Sequence, residues 1–189
     1  MALEKQILND AMQTFRIEAE SLAETAKEVL SGAPRIAAAG CGHTGIACRH
    51  FAHLMCCIER PARFLSPAEA VHGGMGFLQP GDVMLLASRG GKTDELMPIA
   101  DICRRKGITV IGVTENTASP LAEKSDIVLA MKVTRECDPY NCQGTTSFAV
   151  TCAIFDALQT AVLEYTGFCN EEFAVIHPHG AVGKRLNRQ

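Results

Sequence analysis

Three ionisable residues stand where this sequence could do chemistry: Glu95 just after Thr93, Glu136 after an apolar run, and His177 in Ile176-His177-Pro178-His179-Gly180. A carboxylate and an imidazole can move a proton between adjacent carbons, one as base and the other as donor to an oxygen that gains charge. Taken singly, Glu95 equally suits the first turn of a helix, and each histidine suits a surface or packing role. Two glycine-bearing loops precede them. Ser88-Arg89-Gly90-Gly91-Lys92-Thr93 supplies small residues, two hydroxyls, a lysine and successive backbone N–H groups, which suits a single phosphate; an ordinary loop with Thr93 as N-cap is the alternative. It is not a Walker motif, because Leu86 stands where glycine is needed, five positions before Gly91. Gly40-Cys41-Gly42-His43-Thr44-Gly45 has dinucleotide spacing, but the next strand ends in Ser66 where a nicotinamide site needs an acid for the ribose. Its glycines still let backbone N–H groups approach an anionic or polyhydroxy ligand.

His50 and His53 share a helix face, yet no nearby carboxylate or cysteine completes a metal set, so a helix surface is the better reading. The nine cysteines are odd in number and form no Cys-x-x-Cys pair, which predicts reduced, buried thiols acting as small apolar residues. A balance of 18 basic against 21 acidic residues, net charge -3, argues against a general grip on nucleic acid or anionic lipid. With no Trp and 5% aromatics, base-stacking surfaces are not expected either. Glu4, Lys5 and Asp10 interrupt any secretory leader, which points to a cytosolic protein without membrane attachment.

Positioning those residues requires alternating strands and helices. Leu8, Met12, Phe15, Ala19, Leu22, Ala26 and Val29 recur every three or four residues and predict an amphipathic helix over 3–30, within an N-terminal segment 1–34. From residue 35 the chain reads as one α/β core: strands at Ile36 to Ala39, Arg63 to Leu65, Asp82 to Ser88, Thr109 to Thr114 and Ile127 to Val133. Helices are expected over Thr44 to Ile58, Thr93 to Lys106, near Ser119, and Thr145 to Tyr165. Strands apolar throughout suit a parallel sheet covered on both faces, hence a doubly wound fold in one domain. Such sheets bind ligands outside the carboxyl ends of their strands, at the loops after Ala39, Ser88, Thr114 and Val133.

In this order, Gly-x-Gly-x-x-Gly, Ala-x-His-Gly (Ala70 to Gly73), Ser-x-x-Gly-x-Thr-x-Glu and His-Pro-x-Gly-x-x-Gly resemble the sugar isomerase (SIS) domain, most of all that of the D-arabinose-5-phosphate isomerases. The resemblance covers about residues 35 to 186, and implies the isomerase module without the CBS domains such enzymes often carry. It implies a flavodoxin-like five-stranded parallel sheet, no cofactor, no metal, and a phosphosugar substrate. The active site is expected at a subunit interface of a homodimer or homotetramer. Phosphate would be held by Ser88 to Thr93, with Gly42, Thr44 and His72 beside the sugar. Glu95, Glu136, His177 and His43 fall on the family's catalytic positions, Glu136 as proton-shuttling base and His177 as ring-opening group reaching in from a neighbouring subunit. Thr145, Thr146 and Ser147 match a hydroxyl-rich turn that could hold sugar or phosphate oxygens. The sequence departs from the family at His43, an imidazole in place of a lysine's fixed charge, at Gly90 for serine, at Gly74 for aspartate and at Gly144 for proline. The expected activity is aldose–ketose isomerisation through an enediolate. A phosphosugar-sensing module, or a phosphoheptose or hexulose-phosphate isomerase, is the alternative.

Overall fold

Runs of small and branched apolar residues form a parallel sheet here because helices cover both of its faces, and the computed structural model, which describes residues 19–187, shows how they divide the work. The elements are α1 (residues 19–30), β1 (Ile36–Ala39), α2 (Gly42–Cys56), β2 (Ala62–Phe64), α3 (Pro67–Ala70), β3 (Val83–Ala87), α4 (Met97–Lys106), β4 (Thr109–Thr114), α5 (Pro120–Lys124), β5 (Ile127–Ala130), α6 (Thr146–Thr166), α7 (Asn170–Ile176) and α8 (Gly180–Leu186). The last turn of α1, Ala26–Leu30, is a π-helix. Leu8, Met12 and Phe15 of the helix predicted over 3–30 lie outside the described residues.

The sheet order is β2-β1-β3-β4-β5, and every pairing is parallel. This is the expected flavodoxin-like, doubly wound arrangement, whose topological switch falls between β1 and β3. Alternate residues of each strand serve opposite cores. Ile36 and Ala38 of β1, with Val83, Leu85 and Ala87 of β3, meet the layer built from α1, α2 and α6. Ala37, Ala39, Met84 and Leu86 meet the layer of α3, α4 and α5. Phe51 of α2 and Phe155 of α6 pack with ring centroids 4.9 Å apart at the centre of the first layer. Such a pair adds about 1 kcal/mol beyond the area it buries. Helix α6 is long and apolar enough to cross a membrane by length and composition; its Thr151, Phe155, Leu158 and Val162 are buried against the sheet, and most of its other residues are not.

Three expectations need correction. The fifth strand stops at Ala130, because beyond the Met131 N–H bond to the Thr114 carbonyl the next donor is taken by a side chain: the Glu115 carboxylate accepts the Val133 N–H. The helix expected from Thr93 opens as a 3₁₀ turn, Asp94–Leu96, and becomes α-helical only at Met97, with Pro98 in the first turn where its missing N–H costs nothing. Of the nine free cysteines only Cys48 and Cys103 are buried, and four are exposed. Apolar neighbours in sequence did not place the others inward, since a helix turns successive residues to different faces.

Candidate active site

The carboxyl ends of β1 and β3 diverge at the switch point, and the two glycine loops emerge there. The first enters α2 through the N-cap Cys41, whose side chain caps nothing, so the opening N–H groups of the helix are left to other partners. Glycine is required at 45: a Cβ there would lie 2.5 Å from the Gly40 carbonyl oxygen, so only a bare backbone lets the helix start this close to the strand.

The second loop is built round Ser88, which is buried at the end of β3. Its hydroxyl accepts the Gly91 N–H at 3.1 Å and shares a 2.8 Å hydrogen bond with the Thr93 hydroxyl. Gly91 has φ +64 and sits where a Cβ would be 2.0 Å from Ser119 Oγ. Thr114 Oγ1 donates to the Arg89 carbonyl, and the Gly91 carbonyl accepts the Leu121 N–H, so β4 and α5 hold the loop from below. Among the described residues, the N–H groups of Gly90, Lys92 and Thr93 donate to no acceptor, and Lys92 is exposed without an ion pair. Free N–H groups and two hydroxyls form a cradle suited to a phosphoryl group, with Lys92 on the same loop.

Between the first loop and the end of β2 lies a cavity of about 420 Å³, lined by Gly40 to Gly42, Gly45, Arg49, Phe64, Ser66 and Glu95 among others. Glu95 is exposed, and its charge together with burial raises the Cys41 thiol, burial being the larger cause.

Glu136 is a different kind of carboxylate. It is buried, 3% exposed, and both of its oxygens are engaged. Its Oε2 accepts the Thr145 N–H at 2.9 Å, the Thr145 hydroxyl at 3.1 Å and the Ser147 N–H at 3.1 Å. Its Oε1 accepts Arg89 Nη1 at 2.6 Å, while Arg89 Nε is bound to Glu115 at 2.8 Å. The Ser147 hydroxyl, then the N–H groups of Ser147 and Thr145, hold the Glu136 carboxyl down at about 2, against the opposing effect of burial. Glu115 is lowered too, chiefly by its hydrogen bond from Arg89. Glu136 thus fills the N-terminus of α6 as an internal anion.

The fold therefore gathers Gly42, His43, Thr44, Ser88, Gly90 to Thr93, Glu95, Glu136 and Thr145 to Ser147 on one rim. The exposed His43 joins the two sides: it meets Phe148 edge-on at 6.3 Å, and a Cβ at Gly144 would come within 3.1 Å of its ring. His72 lies in the turn after α3, exposed and outside the cavity lining. His177 is not brought to the rim. It stacks on Phe173 at 4.8 Å, and Phe173, Asn170 and Glu171 line a second cavity with Leu54 near the far end of α2, Ile58 just beyond that helix, and Leu163 near the far end of α6. Sequence reasoning did not single out Arg49, Glu115 and Ser66. For Arg49 the signal was there: it stands seven residues after Gly42, two helical turns on, and so on the same face. His50 contacts Asp156 at 3.3 Å, and no group of three or more potential metal ligands occurs among the described residues.

Comparison with known proteins agrees with this architecture. The chain is 39% identical over 158 residues to the arabinose 5-phosphate isomerase KdsD of Pseudomonas aeruginosa, a match covering 84% of this chain and 48% of that protein. It thus spans about half the length of the curated relatives it matches. A crystal structure from Listeria monocytogenes, described as that of a candidate sugar-phosphate isomerase, superposes with TM-score 0.81 at 39% identity, over 93% of this chain and 98% of that one. The Escherichia coli CFT073 protein c3406, in complex with arabinose 5-phosphate, superposes with TM-score 0.78 at 25% identity, over 92% and 98%. The SIS domain pattern matches residues 29–161, and on these grounds the chain belongs to the SIS domain family.

Proposed function

We propose that this protein interconverts an aldose phosphate and its ketose through an enediolate, in the cytoplasm and without a cofactor, as an arabinose 5-phosphate isomerase does. The observation that carries the reading is the adjacency of an open phosphate cradle, Ser88 to Thr93, and a cavity holding Glu95 at the switch point of the sheet. Phosphate in the cradle directs the carbon chain towards the cavity. Glu95 is the carboxylate free to take a proton there. Glu136, the base expected from the family resemblance, is occupied by four hydrogen bonds and is better assigned to holding the turn before α6 in place. His177 serves as ring-opening group only by entering the rim of a second copy, which makes a homodimer or homotetramer part of the proposal. Positioned proton transfer of this kind contributes about 10²- to 10⁴-fold to a rate.

The locked state of Glu136 favours a second reading, a module that binds a phosphosugar without converting it. Heavy-water NMR separates the two. The protein is incubated with pentose, hexose and heptose phosphates, and the C2 proton signal is followed. Exchange with at least one sugar is expected; saturable binding without exchange for all of them would leave the sensing module.

A further inference from the structure

In α2 the helical spacing places Gly42, Gly45, Ile46 and Arg49 on one face, and all four line the cavity that holds Glu95. The guanidinium carbon of Arg49 lies 3.9 Å from the centroid of the Phe64 ring, at the end of β2. A guanidinium stacked on a ring keeps its N–H donors at its edge, in the plane, where they can address other groups. Among the described residues Arg49 makes no ion pair, whereas Arg35 meets Asp82 and Arg89 meets Glu115 and Glu136. Arg49 is therefore a cation oriented by an aromatic platform, with its fork unoccupied, across a cavity from a free carboxylate. A planar fork of donors fits two oxygens on adjacent atoms better than it fits a single hydroxyl.

We propose that Arg49 is a substrate-contacting residue that grips the two oxygens at the carbonyl end of the sugar, remote from the phosphate, and so determines which sugars are accepted; this rests on the isomerase reading above. In the reaction, Glu95 takes the proton from C2, the C–H pair becomes the C1=C2 bond, and the carbonyl pair moves to O1, whose negative charge lies against Arg49. The O2 proton passes to O1, the C2–O2 bond becomes a carbonyl, and C1 takes the proton back from Glu95, which leaves the ketose and a regenerated carboxylate. Arg49 supplies the fixed positive charge that His43 does not.

The test compares two probes by calorimetry: inorganic phosphate, which occupies the cradle alone, and 4-phosphoerythronohydroxamate, whose coplanar oxygen pair imitates the enediolate. In Arg49→Met the hydroxamate is expected to bind about 30-fold more weakly, with phosphate affinity unchanged within about twofold. Arg49→Lys, a point charge without a fork, should recover only part of the loss, and Phe64→Leu should weaken the hydroxamate alone, by about fivefold. Equal losses for both probes, or none for the hydroxamate, would overturn the assignment whether or not the wild type exchanges C2 protons. A wild type that shows the selective loss in Arg49→Met yet exchanges no sugar would sink the isomerase reading and leave the contact standing.

Discussion

Two helices point their N-termini at the same rim, and they are used in opposite ways. The N-terminus of α6 is already filled: Glu136 accepts from Thr145 and Ser147, and Arg89 balances its charge. The N-terminus of α2 has no capping side chain and opens onto a cavity with Glu95 and Arg49. A helix end that carries an internal anion has little left for an external one, so α6 acts as scaffold and α2 is the end that receives a ligand. What separates them is one buried carboxylate. In the hydroxyl-rich turn expected to touch sugar or phosphate, Thr145 and Ser147 bond to Glu136 and Thr146 meets Cys137.

The strongest challenge to this division exchanges the two carboxylates in turn. Glu95→Gln should slow C2 proton exchange by about 10²- to 10⁴-fold and leave the melting temperature unchanged, since the residue is exposed. Glu136→Gln should lower the melting temperature, because an amide in its place turns donors towards Arg89 or Thr145. Its pH signature follows from the carboxyl's descent from 4.5 to about 2 in the fold. A lowered carboxyl contributes stability that is fully present above its unfolded value and is lost as pH falls through its folded value. The stability gap between wild type and Glu136→Gln should therefore be widest at neutral pH and close between about 4.5 and about 2. If Glu136→Gln instead abolishes exchange at an unchanged melting temperature, the filled helix end is the catalytic one and the comparison fails.

A smaller effect tests whether the cradle beside α2 depends on its supports. Gly91→Ala forces a side chain into a φ of +64 and against Ser119, a strain of about 1–3 kcal/mol. It should cut phosphate affinity roughly tenfold as well, because the loop must lift off β4. Gly90→Ala meets nothing within 4 Å and should leave stability unchanged. Equal melting temperatures for the two variants would show that the loop is not held as described.

Much of this was legible in the sequence. The order of apolar runs and glycine turns predicted the sheet, since β1 and β3 are buried on both faces and carry no polar alternation. The rim residues were legible because switch-point loops follow from topology. The state of Glu136 was not, because it depends on Thr145 and Ser147 folding back on a residue nine and eleven positions earlier. Nor was the separation of His177, which α7 carries to the far end of α6, a matter of how a helix docks and not of its pattern. Helical spacing put Arg49 on the face of Gly42, but its aromatic platform was hidden, because Phe64 is a neighbour only once β2 lies beside α2.

The two helix ends also differ in a thiol each, and these report the contrast without any sugar conversion. Cys137 is exposed beside the filled end, where the Thr146 hydroxyl, at 3.4 Å from its sulfur, and then Thr145 lower its pKa. Cys41 is half-buried at the open end, where desolvation and the Glu95 charge raise it. Since the thiolate is the reacting form, iodoacetamide at neutral pH should alkylate Cys137 several-fold faster than Cys41, as read by peptide mass mapping. A bound sugar phosphate should then slow labelling of Cys41, which lines the cavity, and leave Cys137 as it was. Protection of Cys137 with Cys41 unaffected would place the ligand at α6 and reverse the roles of the two helix ends.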